Sequence, residues 1–72
     1  MVNVQKLRGK MMECGITVEE LADIMGMDRA TLYRRLERKG ENFTIKEADI
    51  IAKALNLDVE EANAIFFSQF VA

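Results

Sequence analysis

The sequence predicts a small all-α protein of five helices. The 72-residue chain contains no proline, no segment alternates apolar and polar residues long enough to form a strand, and helix-capping signals recur. At this length, folding buries only about 60% of the surface that the unfolded chain exposes, so every helix has to contribute to one core. We therefore expect a single domain over residues 1–72. Its helices are expected at about 4–14, 18–25, 29–39, 45–55 and 59–70.

Capping residues mark the ends of the first two predicted helices. Asn3 can accept a backbone hydrogen bond at the start of the first helix, and Gly15 stands where a left-handed residue ends it. Thr17, followed three residues later by Glu20, has the spacing of a capping box that begins the second helix. Gly26 then ends the second helix.

A glycine at position 9 lies inside the first predicted helix. Glycine costs about 0.5–1 kcal/mol relative to alanine there, because its backbone loses more conformational freedom on folding. Either another backbone packs closely against Gly9, or the helix tolerates the defect.

The last two helices begin with the same kind of signal. Thr44 with Glu47, and Asp58 with Glu61, are spaced as capping boxes, and Asn56 is expected to end the fourth helix. Both helices have apolar residues at helical spacing that are expected to face the core. These are Ile45, Ala48, Ile51, Ala52 and Leu55 in the fourth helix, and Val59, Ala62, Ile65, Phe66 and Phe70 in the fifth.

Residues 17–38 have the pattern of a helix-turn-helix. Apolar residues recur at helical spacing up to Met25, Gly26 interrupts the run, and Leu32 and Leu36 resume it. Both helices can therefore press onto one core while the second offers its outer surface to the DNA major groove. The second helix of the motif is the third predicted helix of the chain. It carries four arginines, Arg29, Arg34, Arg35 and Arg38, against two nearby acidic residues, Asp28 and Glu37.

The overall charge argues against nucleic-acid binding, but its distribution does not. The net charge is −2 and the sequence pI is near 5.0. Residues 1–40, however, hold eight Lys/Arg and six Asp/Glu, whereas residues 41–72 hold two and six. Since charges are screened beyond about 8 Å at physiological salt, an acidic second half weakens DNA binding without preventing it.

A helical wheel with Leu32 and Leu36 inward predicts which side chains of the third helix face DNA. Ala30 and Arg34 lie outward, and Arg29, as the first helical residue, can project past the helix end. An arginine can bind guanine through two donors, whereas an alanine can only contact a thymine methyl. The expected base-reading residues are Arg29, Ala30 and Arg34, with Thr31 and Tyr33 as secondary contacts.

Phosphate contacts are expected around this helix. Cations on its sides and toward its C-terminal end suit the DNA strands that flank the groove. The start of the second helix offers a hydroxyl and unpaired backbone N–H groups to a further phosphate. The expected phosphate contacts are Thr17, Arg35, Arg38, Lys39 and, less favourably placed, Lys10.

A structural explanation competes with each of these assignments. Charged helix surfaces are usually only solvated, capping alone explains Thr17, and Tyr33 can pack beside the core. The grouping of the cations favours DNA. Like-charge pairs such as Arg34 with Arg38, four residues apart, disfavour an isolated helix, and this arrangement makes better sense opposite a polyanion.

Catalysis and metal binding have little support in the sequence. The chain has no histidine, one cysteine at position 14 and no glycine loop that would cradle a phosphate. We therefore expect a non-enzymatic protein without catalytic residues, metal, cofactor or small-molecule ligand. A single cysteine, no secretory leader and no long apolar stretch predict a cytoplasmic protein that does not interact with membranes.

Several short motifs together carry a resemblance to a known family. They are Leu7-Arg8, Gly15-Ile16-Thr17, Glu19-Glu20-Leu21-Ala22, Gly26-Met27, Arg29-Ala30-Thr31-Leu32-Tyr33-Arg34-Arg35-Leu36 and Ile50-Ile51-Ala52-Lys53-Ala54-Leu55-Asn56-Leu57. On these motifs, residues 4–66 resemble the lambda-repressor-like helix-turn-helix family, also called the Xre or Cro/repressor family. The third-helix run is similar to recognition helices of small phage and prophage regulators.

The resemblance implies five helices and binding to a double-stranded DNA operator, usually as a two-fold dimer. The base readers of the family correspond to Arg29, Ala30 and Arg34. The chain departs from the family in two places. Val18 stands where many members have a glutamine that contacts phosphate and braces the recognition helix, and residues 37–40 do not match the family's loop after that helix.

We therefore expect a small transcriptional regulator of the phage or prophage repressor or Cro type. The apolar tail predicts a homodimer contact through Phe67, Phe70 and Val71, although Phe67 can instead fold onto its own monomer. The alternative function is a protein-interaction module, such as an antirepressor or antitoxin-like binder, that keeps the fold without binding DNA. The acidic pI and Val18 favour this alternative.

Overall fold

The computed structural model describes residues 2–37 and 43–67. These residues form five α-helices and no strand, which confirms the predicted all-α class. The helices are α1 Val4–Cys14, α2 Val18–Met25, α3 Arg29–Glu37, α4 Ile45–Ala54 and α5 Val59–Phe66. None of the helices in these ranges has the length and apolar character needed to cross a membrane.

The helix starts follow the predicted capping residues. The Asn3 side chain accepts a hydrogen bond from the Lys6 N–H at 3.1 Å. Complete capping boxes begin α2, α4 and α5. In each box the N-cap oxygen accepts from the backbone N–H three residues later, and the glutamate there accepts from the N-cap N–H. Local hydrogen bonding therefore specifies where these three helices begin.

Three left-handed residues end α1, α2 and α4. Gly15, Gly26 and Asn56 have φ values of 69°, 71° and 52°. In each case the next residue donates its N–H to a carbonyl five residues earlier, as from Ile16 to Met11 at 2.9 Å. This pattern is the Schellman motif, which satisfies carbonyls that the helix leaves unpaired. The left-handed backbone at Gly26 and this hydrogen-bond pattern therefore define the turn between α2 and α3.

The last helix is shorter than predicted. We expected it to run to about residue 70, but α5 ends at Phe66 and Phe67 leaves the helical conformation at φ −127°. The expectation rested on apolar spacing alone, because no capping residue marks that end of the helix. The predicted end of α3 at residue 39, and the positions of Phe70 and Val71, lie outside the described residues.

A single core joins all five helices. Ile45 and Val59, which were expected to face this core, are instead 81% and 78% exposed, because they are the first residues of α4 and α5 and lie at the helix ends. α2 packs against α3 and α4, while α5 packs against α1 and α4. The segment before α1 also contributes, because Val2 is buried and the Asn3 N–H donates to the Ile65 carbonyl at 2.7 Å. The buried residues are Val2, Leu7, Met11, Leu21, Ala22, Leu32, Leu36, Ile51, Leu55, Ile65 and Phe66.

Gly9 faces open space. A Cβ atom placed on Gly9 would meet no atom of the described residues within 4 Å, leaving aside its neighbours in the chain and in its own helix. Close backbone packing therefore does not explain this glycine. Of the two explanations that the sequence left open, the structure favours a tolerated defect.

Candidate nucleic-acid interface

The helix-turn-helix presents one side of α3 to the core and the other to solvent. Leu32 and Leu36 are completely or almost completely buried, and they join Leu21 and Ala22 of α2 in the core. Because α-helical residues advance by 100°, this anchoring turns Arg34 outward and places Tyr33 and Arg35 on the two flanks of the helix. The fixed turn at Gly26 sets the direction in which α3 leaves α2.

Most of the predicted base-reading residues lie on this outward surface. Arg29, Ala30, Tyr33 and Arg34 are exposed, and Thr31 is half-buried. The exposure of Tyr33 does not favour the alternative in which its ring packs beside the core. The outward surface of α3 therefore combines two guanidinium groups with a methyl group, a hydroxyl group and a phenol.

Arg34 makes its side-chain hydrogen bond within α3. Its Nη2 donates to the Thr31 hydroxyl at 3.4 Å. Among the described residues no carboxylate forms an ion pair with Arg34, and this includes Glu37 three residues further along the helix. Since a weak bond to a neutral hydroxyl is readily exchanged, Arg34 can donate to an incoming acceptor at little cost.

Arg29 is connected to α2 by an ion pair. Its Nη1 donates to the Glu19 Oε2 at 3.2 Å, and the two side chains are 62% and 66% exposed. The contact joins the two helices of the helix-turn-helix, from the first turn of α2 to the first residue of α3. Sequence reasoning missed it, because nothing in a ten-residue separation across a turn identifies the partner.

Arg35 is turned toward the start of α4 rather than toward the exposed surface that carries Arg34. Its Nη1 donates to the Glu47 Oε1 at 2.7 Å, with the two side chains only 28% and 19% exposed. Its guanidinium carbon also lies 5.6 Å from the centroid of the Phe43 ring, and that ring packs edge-on against Phe66. Arg35 therefore bridges α3 to the start of α4.

Lys10 is likewise engaged by its own chain. Its ammonium group forms a short ion pair with Glu61 at the start of α5, and both groups are partly buried. The structure thus gives Lys10 and Arg35 carboxylate partners where the sequence predicted phosphate contacts. Contact of either residue with phosphate stays a prediction, and the geometry supports a structural role for both.

The paired glutamates are held in their charged form. Burial opposes the ionisation of Glu47, but hydrogen bonds from the Thr44 backbone and the Arg35 guanidinium outweigh it and lower the pKa. A hydrogen bond from Lys10 lowers the pKa of Glu61, and the same bond raises the pKa of Lys10. Both ion pairs therefore stay formed at neutral pH.

The hydroxyl group of Thr17 is fully used in capping. It accepts from the Glu20 N–H at 3.1 Å and donates to the Glu20 Oε1 at 3.0 Å. The Thr17 backbone N–H also donates to the Glu20 Oε1 at 3.0 Å, and this bond, followed by the one from the hydroxyl group, lowers the pKa of the Glu20 carboxyl group. A phosphate contact would have to take the one hydroxyl proton away from Glu20, so the geometry favours the capping explanation.

The remaining predicted site residues are only partly described. Arg38, Lys39, Phe70 and Val71 lie outside the described residues. Phe67 is described, and 40% of its surface is exposed. In the described ranges, no group of three or more His, Cys, Asp or Glu side chains is placed to hold a metal ion.

Comparison with known proteins agrees with this geometry. A family model described as helix-turn-helix, of the Cro/C1 type, matches residues 5–61, which span all of α2 and α3. No curated protein and no solved structure gives a match. The matched range covers most of the chain and includes the turn and the exposed surface of α3 described above. The chain therefore belongs to the Cro/C1-type helix-turn-helix family, the lambda-repressor or Xre-like family of DNA-binding regulators.

Proposed function

We propose that this protein is a small transcriptional regulator that binds double-stranded DNA sequence-specifically, with α3 in the major groove. The observation that carries the proposal is the division of α3 into two sides. Leu32 and Leu36 anchor one side in the core, while Arg29, Ala30 and Arg34 stand exposed on the other. Recognition helices in this class of motif use the same arrangement.

The proposed base contacts follow from the chemistry of the exposed side chains. Arg34 and Arg29 each have donors suited to guanine O6 and N7, and Ala30 can contact a thymine methyl. Arg34 is the stronger candidate, because its bond within the protein is to a neutral hydroxyl. Thr31 and Tyr33, which flank these residues, are assigned secondary contacts.

The proposed phosphate contacts are fewer than the sequence predicted. Arg38 and Lys39 follow α3 directly and remain the leading candidates on sequence grounds. Backbone N–H groups at the start of α2 can take a further phosphate through the helix dipole. Lys10 and Arg35 already hold carboxylates, so we assign them to the stability of the domain instead.

The regulatory role that we propose is repression by occupying a promoter, in the manner of phage or prophage repressors and Cro proteins. Two copies would bind successive major grooves of a near-palindromic operator in the cytoplasm. The exposed ring of Phe67 supports a symmetric contact between the copies. Selection of bound sequences from a random duplex pool tests this directly, because a dimer selects a site with two-fold symmetry.

The test of the proposed function is Arg34→Ala. We expect its affinity for the selected site to fall by about 1–3 kcal/mol, with loss of preference at one base position. Fluorescence anisotropy with a panel of single-base variants of the site measures both effects. Lys53→Ala is the matched control, because it removes the same charge from the exposed surface of α4. Unchanged affinity and unchanged base preference in Arg34→Ala would refute the assignment of α3.

A second candidate function is a protein-interaction module without DNA binding. The acidic pI of 5.0 and Val18 favour it, because both are less suited to a phosphate backbone. Titration with random duplex DNA at low salt separates the two functions. A DNA-binding protein binds even random duplex under these conditions, whereas the interaction module does not.

A further inference from the structure

We infer that Glu19 is a positioning residue that orients the Arg29 guanidinium and so sets the base preference at the position that Arg29 reads. This inference rests on the proposed function and adds a residue that the family resemblance does not supply. Its starting point is the ion pair across the helix-turn-helix, in which Arg29 Nη1 donates to Glu19 Oε2 at 3.2 Å. Both side chains lie on the exposed surface where DNA is proposed to bind.

The geometry of the pair leaves the reading edge of Arg29 open. A guanidinium group has five N–H donors in a rigid plane, and guanine needs two of them from one edge. Glu19 engages Nη1, whereas the hydrogens on Nε and Nη2 form a separate edge of the planar group. A carboxylate in this position therefore restricts the orientation of the group without occupying the donors that guanine requires.

The effect of Glu19 is expected to depend on DNA. In the free protein the pair is well exposed, so solvent screening makes it weak. Docking on DNA removes water from the contact and strengthens the attraction, which stabilises the bound orientation of Arg29. The same carboxylate repels nearby phosphates on every duplex. Glu19 is thus expected to lower affinity for DNA in general and to raise the preference for the correct base.

Arg34 provides an internal comparison. It lies on the same surface of α3, but its partner is the neutral Thr31 hydroxyl on its own helix. Removing Glu19 should therefore alter base preference at the position read by Arg29 and leave the position read by Arg34 unchanged. A purely structural role for Glu19 as an acidic residue in the first turn of α2 predicts something different, namely lower stability with no change in preference at any position.

The experiment compares Glu19→Ala and Glu19→Gln with Glu60→Ala, which removes one acidic charge from the exposed start of α5. The position that Arg29 reads is identified as the one whose preference is lost in Arg29→Ala. Anisotropy competition then measures affinity for duplexes with each of the four bases at that position, and for a random duplex. Thermal unfolding monitored by circular dichroism confirms that each variant is folded.

We expect Glu19→Ala to reduce the guanine preference at that position by about threefold to tenfold, with random-duplex affinity equal or higher. Glu19→Gln keeps an acceptor oxygen but loses the charge, so its preference should be intermediate, and Glu60→Ala should match the wild type. At the position that Arg34 reads, Glu19→Ala should keep the wild-type preference, because Arg34 is bonded to Thr31 and not to Glu19.

Two outcomes overturn the inference while the proposed function stands. The first is a wild-type preference in Glu19→Ala, and the second is an equal loss of preference at the position that Arg34 reads. If Glu19→Ala does not fold, the same criteria apply to Glu19→Gln. A wild-type protein that binds no duplex at low salt overturns the proposed function itself, and the inference with it.

Discussion

Arg34 and Arg35 are neighbours in the sequence, yet the fold gives them opposite roles. Arg34 is exposed and, within residues 2–37 and 43–67, its side chain bonds only to a hydroxyl group of its own helix. Arg35 is mostly buried between Glu47 and the Phe43 ring and ties α3 to α4. The difference follows from the 100° rotation between successive helical residues, once Leu32 and Leu36 have fixed the inward side. A count of arginines on a helix therefore overstates the charge available to DNA.

Arg35→Ala is expected to have the largest effect on stability among the variants that test this comparison. Removing the cation leaves Glu47 partly buried without its partner, so we expect the free energy of unfolding to fall by about 1–3 kcal/mol. For a domain of this size, each kcal/mol lowers the melting temperature by about 4–8 °C, which thermal unfolding by circular dichroism detects. Arg34→Ala is the matched control, with an expected change within about 0.5 kcal/mol.

The same pair of variants decides the role of Arg35 toward DNA. Affinity measured well below the melting temperature should be near wild type for Arg35→Ala and reduced for Arg34→Ala. If Arg35→Ala keeps full stability but loses affinity for every duplex, then Arg35 is a phosphate contact, as its sequence position predicted. The contrast between the two sides of α3 would then be wrong.

A smaller, pH-dependent effect on the free energy of unfolding is expected from Glu47→Gln. Its folded-state pKa is lowered, so the charged form contributes stability above the ordinary pKa of 4.5, and this contribution is lost as the pH falls through the folded-state value. Glu47→Gln should therefore be less stable than the wild type at pH 7, and the two should converge in acid. Urea unfolding between pH 7 and pH 3 measures the difference.

The difference in stability between the wild type and Glu47→Gln isolates the effect of Glu47. Glu20 and Glu61 also have lowered pKa values, but both residues are present in both proteins. Glu60→Gln, on the exposed surface of α5, is the control and should show only a small difference from the wild type at every pH. A constant gap between Glu47→Gln and the wild type down to pH 3 would show that the Glu47 charge does not contribute to stability.

The sequence predicted what local spacing determines and missed what the tertiary fold brings together. The capping boxes at Thr17, Thr44 and Asp58 were predicted correctly, because each depends on residues three apart. The wheel around Leu32 and Leu36 likewise predicted which side of α3 is exposed.

The partners of the cations could not be predicted in the same way. Lys10 and Glu61 are 51 residues apart, and Arg35 and Glu47 are twelve residues apart on different helices. Only the packing of α1 on α5, and of α3 near α4, places each cation beside a carboxylate. Glu47 and Glu61 already take part in capping boxes, so their positions in the sequence do not indicate that each also bonds to a cation. Two of the four cations predicted to contact phosphate thus have carboxylate partners within the protein.

The smallest effect is expected at Gly9, beside Lys10 on the same helix. Gly9, Lys10 and Glu61 line a groove of about 340 Å³ between α1 and α5, and a Cβ on Gly9 would have no atom of another described segment within 4 Å. Gly9→Ala should therefore raise the free energy of unfolding by about 0.5–1 kcal/mol through backbone entropy, without changing DNA affinity. Chemical denaturation and anisotropy measure the two quantities. A stabilised variant that also loses DNA affinity would show that the α1 surface takes part in binding. It would then support the original prediction that Lys10 contacts phosphate.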